Sequence, residues 1–69
     1  MTANQFRTAL SRIKLSQLGA ARLLGSDGRT VRRWASGERG IPPSVAILLN
    51  LMLVGRVTAT EIERYGKVH

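Results

Sequence analysis

Closely spaced signals for the start and end of helices constrain this chain more than any other feature of its sequence. Ser16 and Asp27 are residues whose side-chain oxygens commonly cap the first turn of a helix. Gly25 and Gly37 are typical of the position just after a last turn, where the backbone becomes left-handed. These signals delimit two short helices joined by a tight turn, and that pattern, at about residues 17–36, favours a helix-turn-helix.

Two capping-box patterns predict further helices near the ends of the sequence. Thr2 with Gln5 opens a helix from about Ala3 to Ile13. Its apolar residues recur at helical spacing, and they are Phe6, Ala9, Leu10 and Ile13. Thr58 with Glu61 opens a short fifth helix. The residues of that helix that we expect to face inward are Ile62 and Tyr65.

The segment between these regions is apolar almost all round. Pro42 and Pro43 mark its start, and we expect a fourth helix from about Ser44 to Val54, with Asn50 as the main polar exception. A helix of this kind has to be covered on more than one side. It is therefore expected to be the central helix of the core, part of a contact between molecules, or both.

Helix signals dominate the sequence, and no strand-like alternation of apolar and polar side chains runs beyond five residues. The sequence therefore predicts an all-α protein, a compact bundle of five short helices. The length of 69 residues suits one domain, which we place at residues 1–66, with residues 67–69 as a disordered tail. Because the chain has no cysteine, neither disulfides nor a thiolate metal site can support so small a core.

The helix expected at about residues 28–36 has two faces of opposite character. Successive helical residues are turned by about 100°, which brings four polar side chains to one side. They are Arg29, Arg32, Arg33 and Ser36. The other side carries Val31, Trp34 and Ala35. We therefore expect Trp34 to lie in the core rather than to stack on nucleic-acid bases, and the arginines to face outward.

Positive charge is concentrated in the first part of the chain. The whole sequence has a net charge of +7, and residues 1–39 hold eight basic and two acidic residues, a net +6. Such an excess attracts a polyanion, of which nucleic acid is the commonest, although a solvated basic surface is the simpler alternative. The arginine guanidinium suits both phosphate and guanine.

A set of residues spread over most of the chain follows the pattern of a known family. The set is Leu15-Ser16-Gln17, Ala21, Leu24-Gly25, Thr30-Val31, Trp34, Gly37 and Pro42. Together, over about residues 6–54, it resembles the lambda-repressor-like helix-turn-helix family, which includes phage Cro proteins and bacterial regulators of the xenobiotic-response-element type. The resemblance implies a sequence-specific DNA-binding protein, a small bacterial or phage transcriptional regulator that acts as a repressor.

The chain departs from this family at a pair of core positions. The family frequently has arginine at the position of Leu10 and glutamate at the position of Ala35, an ion pair that ties the third helix to the first. Both residues are apolar here. This indicates replacement of the pair as a unit, because swapping both partners for apolar residues is often neutral whereas losing one is costly.

The resemblance also implies which residues meet DNA. The positions that face bases or nearby phosphates are Gly28, Arg29, Arg32 and Arg33. Among them, Arg29 and Arg33 are our candidates for bidentate contacts to guanine, and Arg32 is nearer the groove wall, where phosphate is the expected partner. The residues that we expect to position the phosphate backbone are Gln17, Thr30, Ser36, Arg39 and Gly40.

A homodimer on a palindromic site is expected, because one recognition helix contacts too few base pairs to distinguish its site from other DNA. Two-fold pairing would place the two recognition helices about 34 Å apart. The expected dimer contacts are Leu51, Val54, Gly55, Arg56 and Val57.

Other functions are less well supported by the sequence. Four acidic residues, one histidine and no cysteine, with no catalytic or metal-ligand spacing among them, favour neither an enzyme nor a cofactor or metal site. Apolar stretches are shorter than the roughly 20 residues that cross a bilayer, so we expect a cytoplasmic protein without membrane contact. We also expect no small-molecule substrate. The alternative that stays open is an antitoxin or adaptor of the same fold whose main partner is a toxin or another protein.

Overall fold

Five helices make up the part of the chain that the computed structural model describes, residues 1–66. They are α1 (Ala3–Arg12), α2 (Gln17–Leu24), α3 (Gly28–Ser36), α4 (Pro43–Leu53) and α5 (Ala59–Gly66). No strand is present in this range, so the predicted all-α class is confirmed. The radius of gyration of 11.2 Å matches the value of about 11 Å that is typical of a compact domain of this length. The tail predicted at residues 67–69 lies outside the described residues.

Side-chain caps begin most of these helices at the predicted places. Ser16 Oγ accepts a hydrogen bond of 2.9 Å from an N–H in the first turn of α2, and Asp27 Oδ1 accepts one of 2.7 Å in the first turn of α3. Both predicted capping boxes form, between Thr2 and Gln5 and between Thr58 and Glu61. In contrast, α4 has no side-chain cap and begins one residue earlier than predicted, at a proline that has no N–H to satisfy.

The turn after α1 contains a conformation that the sequence does not signal. Gly25 and Gly37 end α2 and α3 with φ of 69° and 82°, the left-handed backbone predicted for them. Lys14 has a similar φ of 59° after α1, although it carries a β-carbon. The N–H of Leu15 donates to the carbonyl of Leu10 at 2.9 Å across this turn. A left-handed residue other than glycine costs about 1–2 kcal/mol, which the closure of this helix end has to offset.

The core lies where α1, α2 and α3 meet, with one residue added by α4. Phe6 and Trp34 form its aromatic centre, with ring centroids 6.0 Å apart and an edge-to-face angle of 83°. The other buried members are Leu10, Ala20, Ala21, Val31, Ala35 and Leu49. Small side chains on α2 allow α3 to pack closely against it, and this pair of helices forms the most extensive contact between elements. The prediction that Trp34 lies in the core is confirmed.

The last two helices are less covered than the sequence suggests. Leu49 is the one fully buried residue of α4. Tyr65 was expected to face inward, but 69% of its surface is exposed, so that expectation is wrong. The tyrosine lies in the final turn of α5, and no element within residues 1–66 extends over its ring. None of the helices in this range is long and apolar enough to cross a membrane.

Candidate nucleic-acid interface

The orientation of α3 is set by the side chains on its inner face. Val31 is fully buried, and Trp34 and Ala35 are nearly so. These residues contact the other buried side chains of α1 and α2 in one continuous cluster. Because a close-packed interior leaves little freedom of rotation, the helix cannot turn its inner face outward without losing these contacts. The opposite face is therefore held toward solvent on a rigid element.

That outer face consists of arginines and one serine, as the sequence predicts. Arg29, Arg32 and Ser36 are exposed, whereas Arg33 is half-buried. Within residues 1–66, neither Arg29 nor Arg32 forms an ion pair. Three guanidinium groups on a helix of nine residues produce a strong local excess of positive charge. Their side chains are consequently available to an anionic partner.

Asp27 caps the same helix at its exposed N-terminal end. The hydrogen bond from the Thr30 N–H lowers the pKa of Asp27 below its ordinary value of 3.8, and the Thr30 hydroxyl and the charge of Arg29 act in the same direction. The carboxylate is thus ionised at neutral pH and satisfies an otherwise unpaired N–H. Gly28 begins the helix with open space beside it, since a β-carbon built there would meet nothing within 4 Å.

The C-terminal end of α3 folds back on Arg33. The carbonyl oxygen of Arg33 accepts hydrogen bonds from Ser36 Oγ and from the N–H of Arg39, each at 3.2 Å. The N–H of Glu38 donates to Ser36 Oγ at 3.4 Å, at the limit of a hydrogen bond. This turn brings Glu38 Oε2 to 3.8 Å from Arg33 Nε, the one ion pair within residues 1–66. An acidic residue therefore lies beside the arginine face, a neighbour that the sequence reasoning did not identify.

The residues predicted to contact phosphate are distributed around α3. Gln17 is exposed at the first position of α2, and Arg39 and Gly40 are exposed in the segment that leads to α4. Thr30 is half-buried, and both its N–H and its hydroxyl are directed toward Asp27.

Arg7 is a further residue that the sequence reasoning missed. Its guanidinium extends from α1 to the end of α3, where Nη1 donates to the carbonyl oxygen of Ala35, and Nη2 donates to Asn4 Oδ1 at 2.7 Å. A cation at this end of a helix stabilises carbonyls that lack partners in the helix. Helices α1 and α3 are thus linked by a hydrogen bond from the charged guanidinium of Arg7 to a main-chain oxygen, next to the apolar Leu10 and Ala35. The signal available in the sequence was that Arg7 lies three residues before Leu10, and therefore on the same side of α1.

A second exposed feature is an apolar stripe on α4. Ile47 and Val54 are 61% and 70% exposed, and Leu51 is also exposed. Their spacing of four and three residues places them along one side of α4, with Val54 as the residue that caps its C-terminal end; we call this set the α4 stripe. Helix α4 carries no charged residue. Of the other predicted dimer contacts, Gly55 and Arg56 are exposed and Val57 is half-buried.

A cleft of about 560 Å³ lies between α1 and α4. It is lined mainly by short polar and small apolar side chains, and Arg12 is its one charged residue. No group of three histidine, cysteine or acidic side chains within residues 1–66 is placed to hold a metal ion. The cleft offers neither a pair of titratable groups nor a converging set of ligands.

Comparison of the chain with models of known protein families, with curated proteins and with solved structures finds no match. What the outer face of α3 and the α4 stripe can bind therefore follows from the chemistry and placement of their own side chains.

Proposed function

We propose that this protein binds double-stranded DNA in a sequence-specific way, through a lambda-repressor-like helix-turn-helix formed by α2 and α3. The observation that supports this function is the division of α3 into a buried apolar face and an outward face of arginines. As a small bacterial or phage regulator, the protein represses transcription by occupying an operator in the cytoplasm. It acts by binding alone, without catalysis or a cofactor.

In this proposal, the N-terminal part of α3 enters the major groove, which is wide enough for an α-helix and presents a distinct pattern for each base pair. Arg29 and Arg33 are four residues apart and thus neighbours on the helix surface. Each forms a bidentate contact to guanine O6 and N7. Arg32 binds phosphate at the groove wall. Gly28 lets the backbone approach the DNA closely, consistent with the open space beside it.

Contacts to the sugar-phosphate backbone orient the protein on the duplex. The proposed residues are Gln17, Thr30, Ser36, Arg39 and Gly40. Exposure of Gln17 at the start of α2 supports its role, because a helix N-terminus attracts phosphate. Arg39 adds a charge that is independent of base sequence. Binding is therefore expected to weaken as salt rises, in proportion to the number of phosphates neutralised.

Dimerisation completes the proposed mechanism. The α4 stripe is uncharged, so two copies can meet there without burying a charge. The contact extends through Gly55, Arg56 and Val57. Such a dimer would present two copies of α3 to half-sites about 34 Å apart and so recognise a palindromic operator.

Selection of bound duplexes from a random library tests the function directly. We expect a palindromic consensus containing guanine. Arg29→Ala and Arg33→Ala should each relax preference at a defined base pair by about 1–3 kcal/mol. Arg39→Ala should instead weaken all sequences alike and reduce the salt slope by about one unit.

Arg64→Ala on α5 is the matched control, since it removes an exposed arginine far along the chain from the proposed interface. It should leave base preference unchanged. Equal losses in every arginine variant would contradict the assignment of base-reading residues. Failure of the wild-type protein to enrich any sequence would contradict the function itself.

A protein-binding role is the second candidate, and the same α4 stripe favours it. An antitoxin or adaptor would use these apolar side chains to bind a toxin or another protein instead of a second copy. The two roles differ in the mass of the purified protein. A dimer at micromolar concentration supports the repressor, whereas a monomer that forms a stoichiometric complex with a neighbouring gene product supports the adaptor.

A further inference from the structure

The ion pair between Arg33 and Glu38 lies within the proposed DNA interface and has no evident role in stabilising the fold. The side chains are 38% and 69% exposed, and a pair so accessible to water contributes little to stability. Yet the turn that brings Glu38 to this place is specified by several hydrogen bonds around Ser36 and the Arg33 carbonyl. The backbone position of Glu38 is therefore set by the loop after α3, and from there its carboxylate reaches Arg33.

The contact between the two side chains involves one particular nitrogen of the guanidinium. Glu38 Oε2 approaches Arg33 through Nε, the nitrogen closest to the aliphatic stem. The two terminal nitrogens form no hydrogen bond within residues 1–66, so the outer edge of the guanidinium is left for another acceptor. That outer edge is the one that forms the bidentate contact to guanine O6 and N7. A carboxylate 3.8 Å from Nε attracts this side of the guanidinium without occupying the terminal donors that would read a base.

From this arrangement, and resting on the proposed function, we infer that Glu38 is a specificity-determining residue that orients Arg33 toward guanine. Ordering a flexible side chain opposes binding, and an arginine that a neighbouring charge already biases toward one orientation loses less freedom when it meets its base. Exclusion of water at the DNA surface lowers the local dielectric constant and strengthens the pair.

The negative charge of Glu38 has a second effect on recognition. A carboxylate beside the groove repels phosphates, so it lowers affinity for every DNA sequence. It also competes with phosphate for Arg33, which discourages a sequence-independent contact by this side chain. Orientation toward the correct base and competition with phosphate for Arg33 both raise the ratio of specific to non-specific binding, which is the quantity that matters among many competing sites.

The test compares Glu38→Gln with Glu63→Gln, which removes the same charge from an exposed position on α5. Two duplexes are used: the selected operator and a copy with the base pair read by Arg33 replaced. That base pair is identified as the one whose preference is lost in Arg33→Ala. We expect Glu38→Gln to tighten binding to the altered duplex by about threefold and to reduce discrimination between the duplexes by about tenfold. Glu63→Gln should leave the discrimination unchanged.

Two further variants separate charge from contact. Glu38→Asp keeps the charge but shortens the side chain, so it should lose discrimination without the gain in non-specific affinity. In an Arg33→Ala background, Glu38→Gln should have no further effect on discrimination. If Glu38→Gln discriminates as well as Glu63→Gln does, while the wild-type protein is specific, this inference alone is overturned. If the wild-type protein binds both duplexes equally, the proposed function is overturned together with it.

Discussion

Helices α3 and α4 differ in how far the rest of the chain covers their apolar residues. In α3, a buried apolar face and an exposed arginine face lie on opposite sides, so every apolar residue of the helix is covered by the chain itself. In α4, apolar residues occur almost all round, yet Leu49 is the one that is fully buried, and Ile47, together with Val54 at the C-cap, stays largely exposed.

The two helices therefore present different surfaces to solvent, a charged one on α3 and an apolar one on α4. The polar face of α3 is stable in water and lacks only an anionic partner. The α4 stripe leaves apolar side chains in contact with water, and the proposed function covers them with a second copy of the chain. If the comparison is correct, changes in the inner face of α3 should affect folding, whereas changes in the α4 stripe should affect association.

The largest effect is expected from Trp34→Ala, which removes the buried ring that holds α3. Phe or Trp to Ala changes in a core cost about 3–5 kcal/mol. A domain of this size has a total stability of about 3–10 kcal/mol, so most of the protein should be unfolded or close to it. Circular dichroism with urea titration measures the change. A loss below about 1 kcal/mol would mean that Trp34 does not anchor the helix.

Leu51→Glu should instead separate association from folding. A charge placed in the α4 stripe has to be desolvated on contact, and we expect dimerisation to weaken by about 30-fold or more, the effect of a central interface residue. Sedimentation over a range of concentrations measures it. Ser11→Glu on the exposed side of α1 is the control for the added charge and should leave association unchanged. If Leu51→Glu unfolds rather than dissociates, Leu51 serves the core, and the difference proposed between α3 and α4 is contradicted.

Lys14→Gly tests the scaffold that supports α3, and here the expected change is a gain. Glycine adopts the φ of 59° at this position without strain from a β-carbon, so stability should rise by about 1 kcal/mol. For a domain of this size, that corresponds to an increase in Tm of about 5 °C. Lys14→Ala removes the same charge but keeps the strain, so it should not reproduce the increase. Equal Tm values for the glycine and alanine variants would attribute the effect to charge.

The smallest effect is expected from the titration of Asp27, which distinguishes the start of α3 from that of α4. Because the pKa of Asp27 is lowered in the folded protein, its stabilising contribution is present above its unfolded pKa, near 3.8, and is lost as pH falls through the folded value. Helix α4 starts with no side-chain cap and so has no comparable titration. Asp27→Asn keeps a capping oxygen that does not ionise.

Urea unfolding of both proteins between about pH 5 and about pH 2.5 measures this effect. The wild-type protein should lose more stability than Asp27→Asn as the pH falls. Parallel curves for the two proteins would show that the cap does not titrate in this range.

Much of the secondary structure could be predicted because its signals are local. The caps at Ser16 and Asp27 and the two capping boxes join residues three positions apart, so the sequence alone contains both partners. The two faces of α3 follow from the angle between successive residues, and the buried Val31 and Trp34 confirm them. Boundaries differ by one residue at the end of α1 and at both ends of α4, where no side-chain cap marks the position.

The sequence by itself determined the number, order and approximate limits of the helices and the inward direction of Trp34, because these depend on interactions within one or two helical turns. The tertiary structure decided which long-range partners meet. The bond from Arg7 to the Ala35 carbonyl joins residues 28 positions apart. The ion pair of Arg33 with Glu38 is local in sequence, but it too depends on how the chain turns after α3. The exposure of Tyr65 and of the α4 stripe likewise depends on whether another element lies above them, which no local pattern encodes.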